Sequence, residues 1–484
     1  MMKKIQCILM AFSFALTLSF AVSAESYQNY TYDSEGDAYI EPQAYVPSAL
    51  IDGRSIGTAA FKTPSDVFIA QSGEVYVADS GNNRIVVLDN DFKLKKVITD
   101  FQNNGKQDGF KNPQGVFVTG EDVLFIADTD NQRVVSIDAN GNLVKEFQNP
   151  PQVAELMDFV YKPIRVSVDN AGRIFIVSAN LNKGMIELDK EGNFVSFFGA
   201  ARVSSNFINL MWDRILTREQ KDNSEHILPT EYSSNDIDKD GFVYGSISAT
   251  GINSSSGVAL KKLNPTGLDI LRRTGNFDPM GDVNTLYKNG SLITSKLVDI
   301  CIADHGIYSA LDMQRGRIFT YDNDGNLLYV FGALGSELGS FVMPKAIDKT
   351  KDDRFLIVDQ TLNHIVVFEP TEYADMINSA VVYQYNREYK NAEKQWQKVL
   401  KMTTNSEIAY VGMGKALYRQ GEYKEAMEYF KLGNNRTLYS KSFKENRKNI
   451  FNDIFTPVMW IVVIALIAVL SNKWIKKLLN RRKP

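Results

Sequence analysis

The residues able to do chemistry are few and mostly scattered. The 484-residue chain holds three histidines, His226, His305 and His364, none at metal-ligand spacing from another. Of two cysteines, Cys301 starts within an apolar run and reads as a small buried residue, not a nucleophile. The stretch DIDKDG places Asp236, Asp238 and Asp240 ahead of a glycine, as a calcium loop begins, but without the distal Glu. These three aspartates are the metal candidates, with calcium as the ion, and no other cofactor is expected. No Gly-x-Ser-x-Gly, phosphate loop or metalloprotease helix appears. What does recur is a pairing. Asp79 and Arg84 in VYVADSGNNRIVVLD return 49 residues later as Asp128 and Arg133 in LFIADTDNQRVVSID. Asp359 and His364 make a further copy, with histidine in the arginine's place. An Asp ending one strand and an Arg starting the next can tie a turn, and a repeated residue does a repeated, structural job.

The elements around these pairs repeat too. Residues 61–98, 110–147 and 161–198 each hold four short runs of alternating Val, Ile and Phe, separated by Gly or Asp turns. A lone four-stranded sheet cannot bury both faces, whereas sheets stacked radially can, which predicts a β-propeller. Residues 235–271, 297–331 and 341–369 are drifted copies, and the last stops after three strands. Residues 39–53 offer a spare strand to complete it, since an open last blade would expose a sheet edge. The expected fold class is therefore mainly β: a six-bladed propeller. Residues 203–230 are an insert. Within it FINLMWDRILTREQ has helical spacing, and Phe207, Met211 and Trp212 are its candidate binding residues, on a lid or docking helix or, alternatively, on a helix packed against the propeller to cover apolar surface.

The phrases resemble the NHL repeat family. The resemblance rests on Pro64, Val77-Ala78-Asp79 and Asn83-Arg84-Ile85, with Pro113, Ile126-Ala127-Asp128 and Gln132-Arg133-Val134 as their counterparts. It implies an NHL-type propeller over residues 25–370.

Beyond residue 370 the pattern becomes helical. REYKNAEKQW and GEYKEAMEYF align at a spacing of 34, matching Tyr389 to Tyr423, Ala392 to Ala426 and Trp396 to Phe430. This resembles the tetratricopeptide repeat, so residues 371–450 are expected to form a small helical unit.

Both ends point to a membrane. Residues 1–24 carry two lysines, an apolar run and Val22-Ser23-Ala24, the pattern of a cleaved secretory signal. Residues 454–472 form an uncharged apolar run near the length of a spanning helix, followed by a basic tail, 473–484, expected on the cytoplasmic side. Two of the 54 basic residues lie in the signal and six in the tail. The rest of the chain keeps 46 against 57 acidic, a net of −11. An acidic body argues against nucleic acid. Without an intramolecular disulfide in the mature chain, an exported protein of this size fits a Gram-positive surface. The layout resembles surface proteins of such bacteria whose genes lie beside sugar-type ABC transporter genes. That resemblance implies a membrane-anchored binding or scaffold protein, with a protein partner such as a transporter subunit, or a small-molecule or carbohydrate ligand. The alternative is a metal-dependent propeller hydrolase or lyase of lactonase type, and three or more convergent His, Asp, Glu or Asn side chains in the central channel would favour it.

Overall fold

The computed structural model describes residues 27–156, 159–200, 231–247, 258–283, 286–288 and 291–480. The insert with Phe207, Met211 and Trp212, and His226, lie outside these residues.

Six antiparallel sheets form the blades of a propeller. Blade 1 runs through Asp66–Ile69, Val75–Asp79, Arg84–Leu88 and Leu94–Ile98. Blade 2 spans Pro113–Val118 to Leu143–Phe147, and blade 3 spans Pro163–Val168 to Phe194–Phe198. Blade 4 has three strands, Tyr232–Ile237, Val243–Ile247 and Leu260–Leu263. Blade 5 spans Leu297–Ile302 to Leu327–Phe331. Blade 6 begins with Pro344–Lys349, Phe355–Asp359 and His364–Pro370.

Second strands such as Leu124–Asp128 and Ile174–Ser178 are buried at every position, while outer strands such as Leu143–Phe147 and Phe194–Phe198 are mostly half-buried or exposed. Neighbouring blades cover both faces of the middle strands, so unbroken Val/Ile/Phe runs are what those positions require. Each seam has its own apolar cluster. Ala78 and Ile85 meet Val116 and Ile126 between blades 1 and 2, and Val75 and Val77 meet Leu356 and Val358 between blades 1 and 6.

An N-terminal strap joins the last two blades. Its strand β1 (Tyr30–Tyr32) pairs with β2 (Ala38–Ile40) and, through Tyr30 and Val330, with the outer strand of blade 5. Strand β3 (Tyr45–Ile51) pairs antiparallel with His364–Pro370 and becomes the fourth strand of blade 6. The ring thus closes by backbone bonds between the two ends of the propeller sequence. Blade 4 protects its open edge differently. Asp269 accepts a bond from the Lys262 N–H and pairs with Arg273, whose guanidinium donates to the Leu260 carbonyl. Side chains occupy the edge groups that would otherwise recruit a foreign strand.

After a short helix α1 (Pro151–Leu156) in the propeller, the helical region comprises α2 (Glu372–Tyr385), α3 (Tyr389–Met402), α4 (Glu407–Gln420), α5 (Tyr423–Leu432) and α6 (Arg436–Asn480). They pack as a helical repeat. A Cβ on Gly412 would sit 2.4 Å from the Trp396 ring, and one on Gly414 would sit 2.6 Å from the Phe430 ring. Glycine is what lets α4 approach α3 and α5 this closely. One apolar core runs from blades 5 and 6, through Tyr45, Phe331 and Phe355, into Ile377, Trp396 and Met413 of the helices. The two units therefore share a core. The long helix α6 is apolar and long enough to cross a membrane, and from Ile454 its large apolar side chains are exposed.

Candidate functional site

The repeated pairs come first. Arg84 Nε donates to Asp79 at 2.7 Å, and Asp79 also accepts from Asn82 and from the Lys62 N–H. Arg133 and Asp128 repeat this at 2.9 Å. Both aspartates are fully buried, so each carboxylate gathers the donors of one turn. In blade 6, Asp359 accepts from the N–H groups of Val342, Thr361 and Leu362, and His364 faces it across the ladder. Burial lowers the imidazole's pKa more than Asp359 raises it.

The central channel holds a second set of charges. Asp66 of blade 1 accepts from the Val116 N–H of blade 2, and Asp299 of blade 5 accepts from the Ile347 N–H of blade 6. Two residues further along the first strands, Asp236 of blade 4 accepts from Ile302 N–H, and Asp348 of blade 6 accepts from Ile69 N–H. Each carboxylate latches its blade to the next. Arg165 of blade 3 reaches across: its guanidinium lies 3.3 Å from Asp66 and 3.8 Å from Asp299, and donates to the carbonyls of Ser65 and Gln114. Burial pushes the Asp236 carboxyl up to about 7 and that of Asp348 well above its usual range. Burial likewise pushes the Lys345 ammonium down to about 8, with Arg165 adding to the effect.

The DIDKDG triad does not converge. Asp236 is one of the channel latches, while Asp238 accepts from the N–H groups of Asp240 and Phe242 and pairs with Lys262 at 3.5 Å. Among the described residues no three His, Cys, Asp or Glu side chains are grouped to hold a metal.

At the base of the propeller the helical region leaves open space. A cavity of about 420 Å³ lies between the turns of blades 4, 5 and 6 and helix α2, lined among others by Asp240, Lys349, Asn378 and Tyr385. Beside it runs a groove of about 1640 Å³, walled by blade 5 on one side and by α2, α4 and the start of α6 on the other. His305, Asn323 and Tyr385 line both spaces. His305 adopts φ +64° and meets Tyr385 edge-on at 5.6 Å, so this ring pair stands between groove and cavity.

The groove is cationic. Seven of its lining residues are Lys or Arg and three are acidic. Asp324 is shared by Arg272 at 3.1 Å and Lys415 at 3.0 Å. Burial pushes the Asp324 carboxyl up, but the two cations outweigh it and hold the group below its ordinary range. Arg387, Arg419, Lys431, Arg436 and Lys441 pair with no carboxylate among the described residues.

The helical unit is pinned by polar bonds around this space. Tyr329 donates to Asn378 at 2.9 Å, and Ser34 N–H donates to Glu407 at 2.8 Å. Glu41 of the strap is buried beneath α2 and α4. Burial pushes its carboxyl up to about 7, against the hydroxyls of Tyr373 and Ser406.

Sequence reading found the turn pairs but not the channel latches or the groove. The signal for the latches in the sequence is a charged residue within an otherwise apolar or small first strand, at Asp66, Arg165, Asp236, Asp299 and Asp348.

The NHL repeat signature matches residues 61–88. Among solved structures, a streptogramin B lyase is similar at TM-score 0.39 and 11% identity, covering 73% of this chain and 96% of its own. A catalytically inactive virginiamycin B lyase from Staphylococcus aureus with quinupristin gives TM-score 0.40 and 11% identity, covering 73% of this chain and 98% of its own. A putative gluconolactonase gives TM-score 0.40 and 9% identity, covering 71% of this chain and 98% of its own. No curated protein matches the chain.

Proposed function

We propose that the chain is a membrane-anchored extracytoplasmic binding protein whose recognition surface is the groove between propeller base and helical repeat. The observation that carries this reading is the groove itself, with its two walls fixed to each other by a shared core and five of its seven cations paired with no carboxylate among the described residues. The signal-like N-terminus, the apolar run of α6 and the basic tail support a body outside the membrane and a tail inside it. A partner at the surface, such as a transporter subunit or a substrate-carrying protein, fits that placement.

The hydrolase or lyase alternative rests on the four channel aspartates, three with carboxyls raised by burial. Each already accepts an N–H from the adjacent blade, so their carboxylates are occupied in holding the ring. The binding reading is the better supported.

A photo-crosslinking residue tests it, placed at Tyr385 in the groove or at Val195 on the outer strand of blade 3, in the full chain in its own membrane. Adducts formed from Tyr385 and absent from Val195 are expected. Adducts at neither position, or equally at both, would contradict the reading.

A further inference from the structure

We propose that the groove receives an acidic segment of polypeptide. This rests on the reading of the groove as the recognition surface and names the chemistry of what enters it.

Charge gives the first argument. The predicted exterior carries a net of −11, yet this one concavity gathers seven Lys or Arg against three acidic residues. Arg387 lies in the turn between α2 and α3, Arg419 lies on α4 and Arg436 opens α6, and all three line the same space. Cations lacking an internal carboxylate, brought together on an acidic body, are complementary to an anion from outside.

Distance removes the bilayer as the source of that anion. Arg436 opens α6, and the uncharged apolar run of that helix begins at Ile454. Eighteen helical residues place Arg436 about 27 Å along the helix axis from the start of that run. That is more than three Debye lengths of about 8 Å at physiological salt. Headgroup charge is screened out well before it reaches Arg387 or Arg419.

The remaining lining separates a peptide from a nucleic acid. Asn276 and Asn323 make no side-chain hydrogen bond among the described residues, and Asn435 offers its amide N–H groups beside them. An amide side chain both donates and accepts, as a peptide unit does. A phosphodiester only accepts, and its charge at every nucleotide would meet Glu35 and the half-buried Asp322 in the groove. Carboxylates on alternate residues of an extended peptide lie about 7 Å apart. That spacing lets them reach the cations while the backbone bonds to the asparagines. Tyr385, Tyr389, Tyr418 and Tyr439 add rigid, half-apolar surface for the intervening side chains.

The test uses the full chain in nanodiscs of zwitterionic lipid. The probe is a fluorescein-labelled dodecapeptide of alternating Glu and Ser, read by anisotropy at low and physiological salt. A Gln-Ser peptide and a twelve-residue oligothymidylate serve as comparisons. The Glu-Ser peptide should bind and weaken with salt, and Arg387→Glu with Arg419→Glu should weaken it at least tenfold. Lys190→Glu, on a turn of blade 3, should leave it unchanged. Equal binding of the Gln-Ser peptide, stronger binding of the oligonucleotide, or no effect of the double reversal would overturn the proposal. Crosslinking from Tyr385 distinguishes the two readings. Adducts that persist in the double reversal refute the acidic partner and leave the binding groove standing, whereas no adducts at all refute the groove.

Discussion

The channel and the groove are both lined by charge, and they use it in opposite ways. In the channel, Arg165 bonds to three backbone carbonyls and approaches two carboxylates, and every aspartate around it accepts from a neighbouring blade. In the groove, five cations have no carboxylate among the described residues. Buried charge is tolerated only when its bonds are made within the fold. Charge at an open concavity costs the fold little and stays free to meet something else. The difference separates residues that hold the ring from residues that face a partner, although both sets look equally functional by residue type.

The largest expected effect lies in the channel. Arg165→Met removes the cation between Asp66 and Asp299 and leaves two buried carboxylates facing each other. Breaking such a pair costs about 3–5 kcal/mol, read as a lower urea midpoint. A midpoint unchanged from the parent would mean that the channel charges are not latches, and the contrast with the groove would collapse.

A smaller effect should appear with pH. The Asp236 carboxyl is raised from 3.8 to about 7 and that of Glu41 from 4.5 to about 7. Between these values the folded state binds more protons than the unfolded chain. Stability should therefore fall as pH rises from about 4 to about 7 and level off above that. Asp236→Asn and Glu41→Gln should each flatten this slope in urea titrations at pH 5 and pH 8. A slope that neither variant changes would show that the buried carboxyls keep ordinary affinities for protons. Because Glu41 lies between strap and helices, its variant also sharpens the comparison, reporting on the joint that fixes the groove's walls.

The blades were legible in the sequence because each repeats the same burial problem. Val77, Ile126 and Ile357 occupy equivalent buried positions, so the same residue types return at the same offsets. Asp79 and Arg84 were legible for the same reason. The channel latches were not, because a ring has one centre and each blade meets it differently. The third position of the first strand is Asp66, Gly115, Arg165, Ser234, Asp299 and Ala346 in turn. No period marks such a set, and only closure of the ring shows which partner each residue has. The groove was illegible for another reason. Arg272, His305, Arg387, Arg419 and Arg436 are far apart in the chain, and their meeting depends on how the helical region packs against blade 5.

The most direct measurement sets the smallest expected stability change against a large change in binding. Urea unfolding and Glu-Ser peptide binding should be measured on one preparation of the Arg387→Glu, Arg419→Glu chain. The account predicts stability within about 0.5 kcal/mol of the parent, as for exposed surface substitutions, together with the loss of peptide binding. A stability loss as large as that expected for Arg165→Met, or peptide binding at the parent's strength, would contradict it.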